Sequence, residues 1–183
     1  LYQVNTNGSD NTTHSIAFYY ADSEQLQKAY DLSLTSQAVA TLLMNSAKNG
    51  TTNTNESTYI NSREKITPED VAKNKTFFVW RIKTNDVPRY LKDWDKLISE
   101  IESDGIAGNS YGLKVTFAGG IKDEDLFVWA GYENQKQMMD QLAVFNSSQS
   151  FSNFNRKISS YTDTVSTEVW SQIQMWNGAA YTE

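Results

Sequence analysis

Three tryptophans and a neighbouring arginine are the side chains in this sequence best suited to contact a ligand. Trp80, Trp129 and Trp170 each lie in a run rich in aromatic and β-branched residues, which predicts three strands. Packing in a core is the ordinary role for such residues, and an aromatic-walled pocket for a flat or apolar molecule is the functional alternative. Arg81 interrupts the first run, so a buried or ligand-facing charge is one interpretation and a salt bridge at a sheet edge is the other.

Other kinds of chemistry have weak support in this sequence. There is no cysteine, and His14 is the single histidine, which argues against a dense zinc site and a serine–histidine pair. The acidic turn Asp123–Asp125 could attract a hard cation, but without further ligands it is expected to be a solvated hairpin tip. No phosphate-binding loop or dinucleotide fingerprint is present. We therefore predict no metal and no cofactor.

Composition limits the partners. A net charge of −6 and a pI near 4.8 argue against nucleic acid, whose phosphates require a basic surface. No run approaches the roughly 18 apolar residues of a membrane span, and no basic cluster suits an anionic membrane surface. The compartment is not fixed, but a start at Leu1 rather than Met and several Asn-x-Ser/Thr triplets favour an exported or extracellular location over a cytoplasmic one.

The elements that position the tryptophans lie in residues 76–176. A strand over Phe77–Lys83 precedes a helix that begins at Asp86 and Pro88 and ends near Ser103. Two further strands, Leu113–Phe117 and Asp125–Gly131, precede helices that begin at Asn134 and at Ser147-Ser148, and the last strand covers residues 161–174. The order β-α-β-β-α-β predicts an α+β fold of the ferredoxin-like type.

The pattern of residues 1–62 predicts a partial ferredoxin-like module. Strands over residues 1–4 and 15–20 form a hairpin, helices begin at Asp22 or Ser23 and at Ser36, and a short strand covers residues 57–60. Residues 63–75 are the predicted connector and 177–183 the tail. Shifted by 112 positions, the first forty residues align without a gap on 113–152, with six identities. We therefore expect a tandem pair of modules forming an α/β barrel, the first lacking its opening strand and helix.

The segment from Tyr132 through Phe154 resembles the strand–helix–helix part of the dimeric α/β-barrel superfamily, including antibiotic-biosynthesis-monooxygenase-like and stress-responsive A/B-barrel proteins. The resemblance covers residues 76–176. It implies two facing ferredoxin-like sheets, formed by a homodimer or by a pseudo-dimer within one chain. Many members carry a histidine in the helix that corresponds to Met138–Phe145, and none occurs here.

From these features we expect a protein that binds a small apolar or aromatic ligand without a cofactor. Candidate ligand-binding residues are Trp80, Arg81, Trp129, Tyr132 and Asn134. The resemblance implies one alternative, a cofactor-independent monooxygenase acting on an aromatic substrate, while the Asn/Ser/Thr-rich acidic composition suits another, a non-catalytic surface or assembly protein. Whether the chain is an enzyme is left open.

Overall fold

The structure is a computed structural model that describes residues 1–6, 11–120 and 123–176. The predicted tail, 177–183, lies outside the described residues. The chain divides into two compact units, one formed by Leu1–Ser15 with the chain from Asn55 onward, and the other by Ile16–Thr54. The predicted boundaries of the two modules, at residues 62 and 76, stay predictions.

The first unit is α+β and contains a seven-stranded sheet that curls into half a barrel. Every neighbouring pair of strands is antiparallel. The spatial order is β2-β1-β7-β4-β6-β5-β3. The strands are β1 (Tyr2–Thr6), β2 (His14–Ser15), β3 (Ser57–Lys65), β4 (Thr76–Thr84), β5 (Ser110–Gly119), β6 (Leu126–Tyr132) and β7 (Thr162–Gln172).

The central strand, β4, explains how the sheet acquires two different faces. Successive side chains of a strand point to opposite sides, so the run Phe77–Ile82 supplies both faces at once. Trp80 and Ile82 belong to clusters on the side that carries helices, which we call the helix face. Val79 belongs to a separate cluster with Trp129 and Trp170, on what we call the opposite face.

Helices of the first unit cover the helix face of the sheet. The predicted helix after β4 is confirmed as α4 (Val87–Ser103), with Asp86 as its N-cap and Pro88 in its first turn. Helices α5 (Gln135–Ser147) and α6 (Gln149–Ile158) follow β6, and the one-turn helix α3 (Pro68–Lys73) precedes β4. Apolar residues of α4 and α6 pack with those of β4, β5 and β6 in the largest core cluster.

The second unit contains two helices that begin where the sequence predicts. They are α1 (Ser23–Thr35) and α2 (Gln37–Lys48), with Asp22 and Ser36 as their N-caps. Gly50 follows α2 with a φ of 75°, the left-handed conformation that glycine adopts without steric cost. None of the residues in these two helices is buried, although several are large and apolar.

Two strands differ in length from their predictions. The predicted strand over residues 15–20 is wrong beyond Ser15, because Ile16–Tyr20 has no strand pairing and its larger apolar side chains are exposed. By contrast, β3 is much longer than the predicted 57–60, because it pairs along β5 as far as Lys65 with Tyr111. Within the described ranges, no helix is both long enough and apolar enough to cross a bilayer.

Candidate functional site

An apolar cavity of about 240 Å³ lies between the helix face of the sheet and helices α4, α5 and α6. Strands β4 and β6 contribute Trp80, Ile82, Val128 and Tyr132 to its walls. The helices contribute most of the remaining lining, which includes Tyr90, Trp94, Leu97, Ile101, Gln141, Phe145, Phe151, Phe154 and Ile158. A cavity of about 150 Å³ lined by aliphatic and aromatic residues holds benzene, so this one accommodates a molecule of one or two rings.

The lining of this cavity is uncharged. In the part of the chain that the structure describes, the residues that line it include no Asp, Glu, Lys, Arg or His. Burial raises the pKa of Tyr132, and burial together with the nearby Tyr161 raises that of Tyr90, so both phenols remain protonated near neutral pH. A charged ligand would lose its hydration here without gaining a counter-ion, so the cavity favours a neutral one.

Two polar atoms of the lining residues lack a hydrogen-bond partner, the Trp129 Nε1, which is a donor, and the Gln141 Oε1, which is an acceptor. Gln141 lies on α5 among the lining residues, and its Oε1 is buried without a donor. A buried carbonyl oxygen without a donor costs free energy that a hydrogen bond recovers. The hydroxyl or N–H of an aromatic ligand would supply the missing donor.

Trp80, Tyr132 and Trp129 are the predicted site residues that the structure brings to this cavity. Trp129 lies at its margin, because its indole packs in the opposite-face cluster, 6.1 Å from the ring of Phe77. The indole also lies against Gly112 of the neighbouring strand, where any Cβ atom would collide with it. Glycine at this position therefore allows the tryptophan to fit.

Arg81 lies on the opposite face, in a buried network with two carboxylates. Its Nε donates to Glu168 at 2.5 Å, and its Nη1 donates to both oxygens of Glu124 at 2.7 and 2.8 Å. Its relative exposure is 3%, against 3% and 5% for the two glutamates. The predicted salt bridge at a sheet edge is thus wrong in its location, because β4 is the central strand.

The same network corrects the prediction for the acidic turn. Glu124 is buried rather than solvated, and it also accepts a hydrogen bond from the Tyr59 hydroxyl at 2.5 Å. The Trp170 Nε1 donates to Glu168 at 2.7 Å. Burial alone would lower the pKa of Arg81, but the hydrogen bond to Glu168 and the charge of Glu124 outweigh it and raise that pKa. Arg81 is therefore a permanent cation that allows two carboxylates to be buried.

Asn134 is the N-cap of α5. Its side chain accepts a hydrogen bond from the backbone N–H of Gln137 at 3.0 Å, as the sequence predicts for a cap. Asn134 is exposed and does not belong to the cavity lining. The structure therefore gives it a structural contact and brings it no closer to the candidate ligand site.

The helix residues of the cavity are the part of the site that sequence reasoning missed. Helical periodicity did identify the apolar faces that carry Tyr90, Trp94, Phe151 and Phe154. Such a pattern indicates which face is buried, but it does not show where two buried faces leave space between them. Gln141 had no signal of its own, because a glutamine on a helix is usually solvated.

Two sequence comparisons give no relative of this chain. No family model matches the chain, and no curated protein sequence matches it. Within residues 1–6, 11–120 and 123–176, no three His, Asp or Glu side chains are grouped so as to share a metal ion. The fold and the cavity therefore define only a class, an α+β protein with a curled antiparallel sheet and an apolar cavity beneath its helices.

Proposed function

We propose that this protein binds a small, neutral aromatic or apolar ligand between its helices and its sheet, without a cofactor. The observation that carries the proposal is the cavity of about 240 Å³, whose lining is aromatic and aliphatic and includes Trp80 and Tyr132. Natural ligand sites combine such walls with a few polar groups that orient the ligand. Here Gln141 and the protonated tyrosines are those groups.

The ligand site belongs, in this proposal, to a tandem of two ferredoxin-like modules. The strand order β7-β4-β6-β5 with α4 and α5–α6 as connections supports the β-α-β-β-α-β module over 76–176. The shift of 112 residues carries α1 (Ser23–Thr35) onto α5 (Gln135–Ser147). It also carries the N-cap of α1 onto that of α5, and the N-cap of α2 onto that of α6. A backbone N–H to glutamine hydrogen bond recurs as well, from Ala21 to Gln25 and from Glu133 to Gln137.

Strand pairing supports the tandem independently of the helices. The pairs between β1 and β7 are Tyr2–Gln172, Gln3–Ser171, Val4–Trp170 and Thr6–Val169. Adding 112 to the β1 numbers and subtracting 111 from the β7 numbers gives Lys114–Asn61, Val115–Ile60, Thr116–Tyr59 and Ala118–Thr58, which are the pairs between β5 and β3. Both sets shift register at the same step, so the two junctions are equivalent. This equivalence favours a pseudo-dimer within one chain over a homodimer.

Ligand binding is tested by titrating the protein with matched neutral and charged probes. We expect 2-naphthol and indole to bind and to raise the melting temperature, because a ligand that binds only the folded state stabilises it. We expect 2-naphthoate, of similar size but anionic, to bind at least about tenfold more weakly, because its charge would be desolvated without a partner. Equal binding of the naphthoate would contradict the uncharged site.

Two variants locate the binding. Ala130 lines the cavity from β6, so Ala130→Leu fills part of the space, and Gln141→Leu removes the acceptor. Both should weaken 2-naphthol binding, whereas Ala118→Leu, at an exposed strand position, and Gln135→Leu, at an exposed position of α5, should not. Unchanged affinity of Ala130→Leu for 2-naphthol would contradict the proposal. Oxygen consumption by the same mixtures decides whether the protein only binds the probe or also oxygenates it.

A further inference from the structure

We propose that the sheet has a docking site for one more strand, between the free edges of β3 and β2, and that a strand followed by an amphipathic helix, joined to Leu1, occupies it. The proposal rests on the tandem arrangement proposed above but not on ligand binding. In the described chain, β3 pairs with β5 alone and β2 pairs with β1 alone, so each has an unpaired edge. Unpaired edges accept further strands.

The order of the strands identifies what is missing. In the complete module the order is β7-β4-β6-β5, with β4 between the last strand and the third. The equivalent strands of the other module are β3 for β7, β2 for β6 and β1 for β5. Placed in the same order they read β3, a gap, β2, β1. The gap takes the position that β4 has in the complete module, so one strand equivalent to β4 would fill it.

The short strand β2 supports this assignment. The shift of 112 places β2 at the start of β6, and places Ile16–Tyr20 on its remainder, Val128–Tyr132. β6 pairs on both sides, with β4 and with β5, and Val128 and Tyr132 are buried. The Ile16–Tyr20 stretch is a continuous run of apolar and aromatic residues, yet Ile16 and Phe18 are 57% and 72% exposed. A strand sequence without a strand pairing is expected where its partner strand is absent.

The helices of the second unit are a second, separate observation. Phe154, buried on α6, corresponds under the same shift to Leu42 of α2, and Leu142 of α5 corresponds to Tyr30 of α1. Leu42 and Tyr30 are 62% and 51% exposed. An apolar helix stripe needs a partner to bury it. In the complete module, β4 and α4 are among the elements on which α5 and α6 pack.

The occupant is defined by its chemistry and by its direction. It is a strand rich in apolar residues on both faces, as in β4, followed by a helix with one apolar stripe, as in α4. In the complete module, α4 leads through a short connection into β5, which is the counterpart of β1. The equivalent helix therefore leads into Leu1, and this direction makes the occupant a part of the same polypeptide rather than a second copy.

The test adds a copy of residues 75–112 directly ahead of Leu1, so that Leu1 follows it as Leu113 follows Gly112. We expect amide hydrogen exchange at Ile16–Tyr20 and along β3 to slow by about tenfold or more, because their amides gain strand partners. The matched control carries prolines at the copy's counterparts of Val79 and Arg81, which remove ladder hydrogen bonds. Unchanged exchange, or equal slowing in the control, would overturn the proposal.

A cross-link gives a readout that does not depend on exchange rates. Phe78 pairs with Val169, whose counterpart in β3 is Thr58. The chain has no cysteine, so Thr58→Cys with a cysteine at the copy's counterpart of Phe78 should form one disulfide. A cysteine at the counterpart of Val79, which points to the other side, should cross-link far less; equal yields would contradict the register. Should the unmodified chain dimerise with Ile16–Tyr20 already protected, a second copy fills the site and the proposal is wrong.

Discussion

At the residue scale, the Arg81 network shows how a charged side chain can be as deeply buried as the apolar residues of a central strand. One guanidinium contacts two carboxylates, and the rings of Phe127 and Trp170 lie 5.2 and 6.0 Å from it. Removing one partner of a buried ion pair leaves a desolvated charge, which costs more than the pair contributes. The arginine is therefore a structural residue whose loss affects the whole sheet.

We expect Arg81→Met to lower the free energy of unfolding by roughly 3–5 kcal/mol, because Glu124 and Glu168 remain buried without a cation. Urea unfolding followed by tryptophan fluorescence measures the loss. Lys83→Met on the same strand is the control, since its ion pair with Asp123 is exposed and should matter by less than about 1 kcal/mol. The triple variant with Glu124→Gln and Glu168→Gln should recover part of the loss, and no recovery would contradict the electrostatic explanation.

Lys114 makes stability depend on pH in the alkaline range. Burial lowers its pKa to about 8, and Glu64 offsets only part of that effect. The unfolded lysine titrates near 10.4, so between pH 8 and 10 the unfolded state holds more protons than the folded state, and stability rises with pH. The unfavourable free energy of burying the charged lysine is fully present below pH 8. Above pH 8 the buried lysine loses its proton, and this destabilisation decreases.

Lys114→Met should therefore raise the melting temperature above that of wild type at pH 7. At pH 9.5 the difference in melting temperature between the two proteins should be smaller. Melting temperatures of both proteins from pH 7 to 9.5 measure this difference. Comparing the two proteins at each pH cancels the opposing effect of buried tyrosines such as Tyr59, whose pKa burial raises to about 12. A pH-independent difference between the two proteins would show that the charge of Lys114 is not the cause.

At the scale of elements, the helix ends were predictable because capping is local. Asp86, Asn134 and Ser148 are short polar side chains placed just ahead of apolar periodic segments, and each caps the helix that the sequence predicts. The length of β3 and the burial of Glu124 were not predictable in this way. Both depend on partners distant in sequence, β5 for the strand and Arg81 for the glutamate.

Asn134→Ala should cost about 1 kcal/mol of unfolding free energy, since the N–H of Gln137 loses its acceptor. Asn134→Ser should retain most of the stability, because serine is an equally good cap. Neither change should alter the affinity for 2-naphthol, measured at a temperature where both variants are folded. Weaker ligand binding by Asn134→Ser at unchanged stability would restore Asn134 as a ligand-binding residue.

At the scale of the whole molecule, the two faces of one sheet differ in the chemistry of their buried side chains. The helix face carries the uncharged cavity, and the opposite face carries the buried ion pairs. The sequence predicted the alternation of side chains in β4 but not this division, because Trp80 and Arg81 are adjacent in the chain and point to opposite sides. Trp80 and Tyr132 belong to the cavity lining because of their strand phase, whereas Trp129, the third predicted site residue in the lining, has the opposite phase.

The most direct test of the ligand site uses the five tryptophans as internal reporters. In protein labelled with 5-fluorotryptophan, adding 2-naphthol should shift the ¹⁹F resonances of Trp80 and Trp94, which line the cavity, while Trp170 on the opposite face stays unshifted. Single Trp→Phe variants assign the signals. A saturable shift of Trp80 and Trp94 is the result we predict, and a shift confined to Trp170 or Trp176, or no saturable shift with any neutral aromatic probe, would contradict the account.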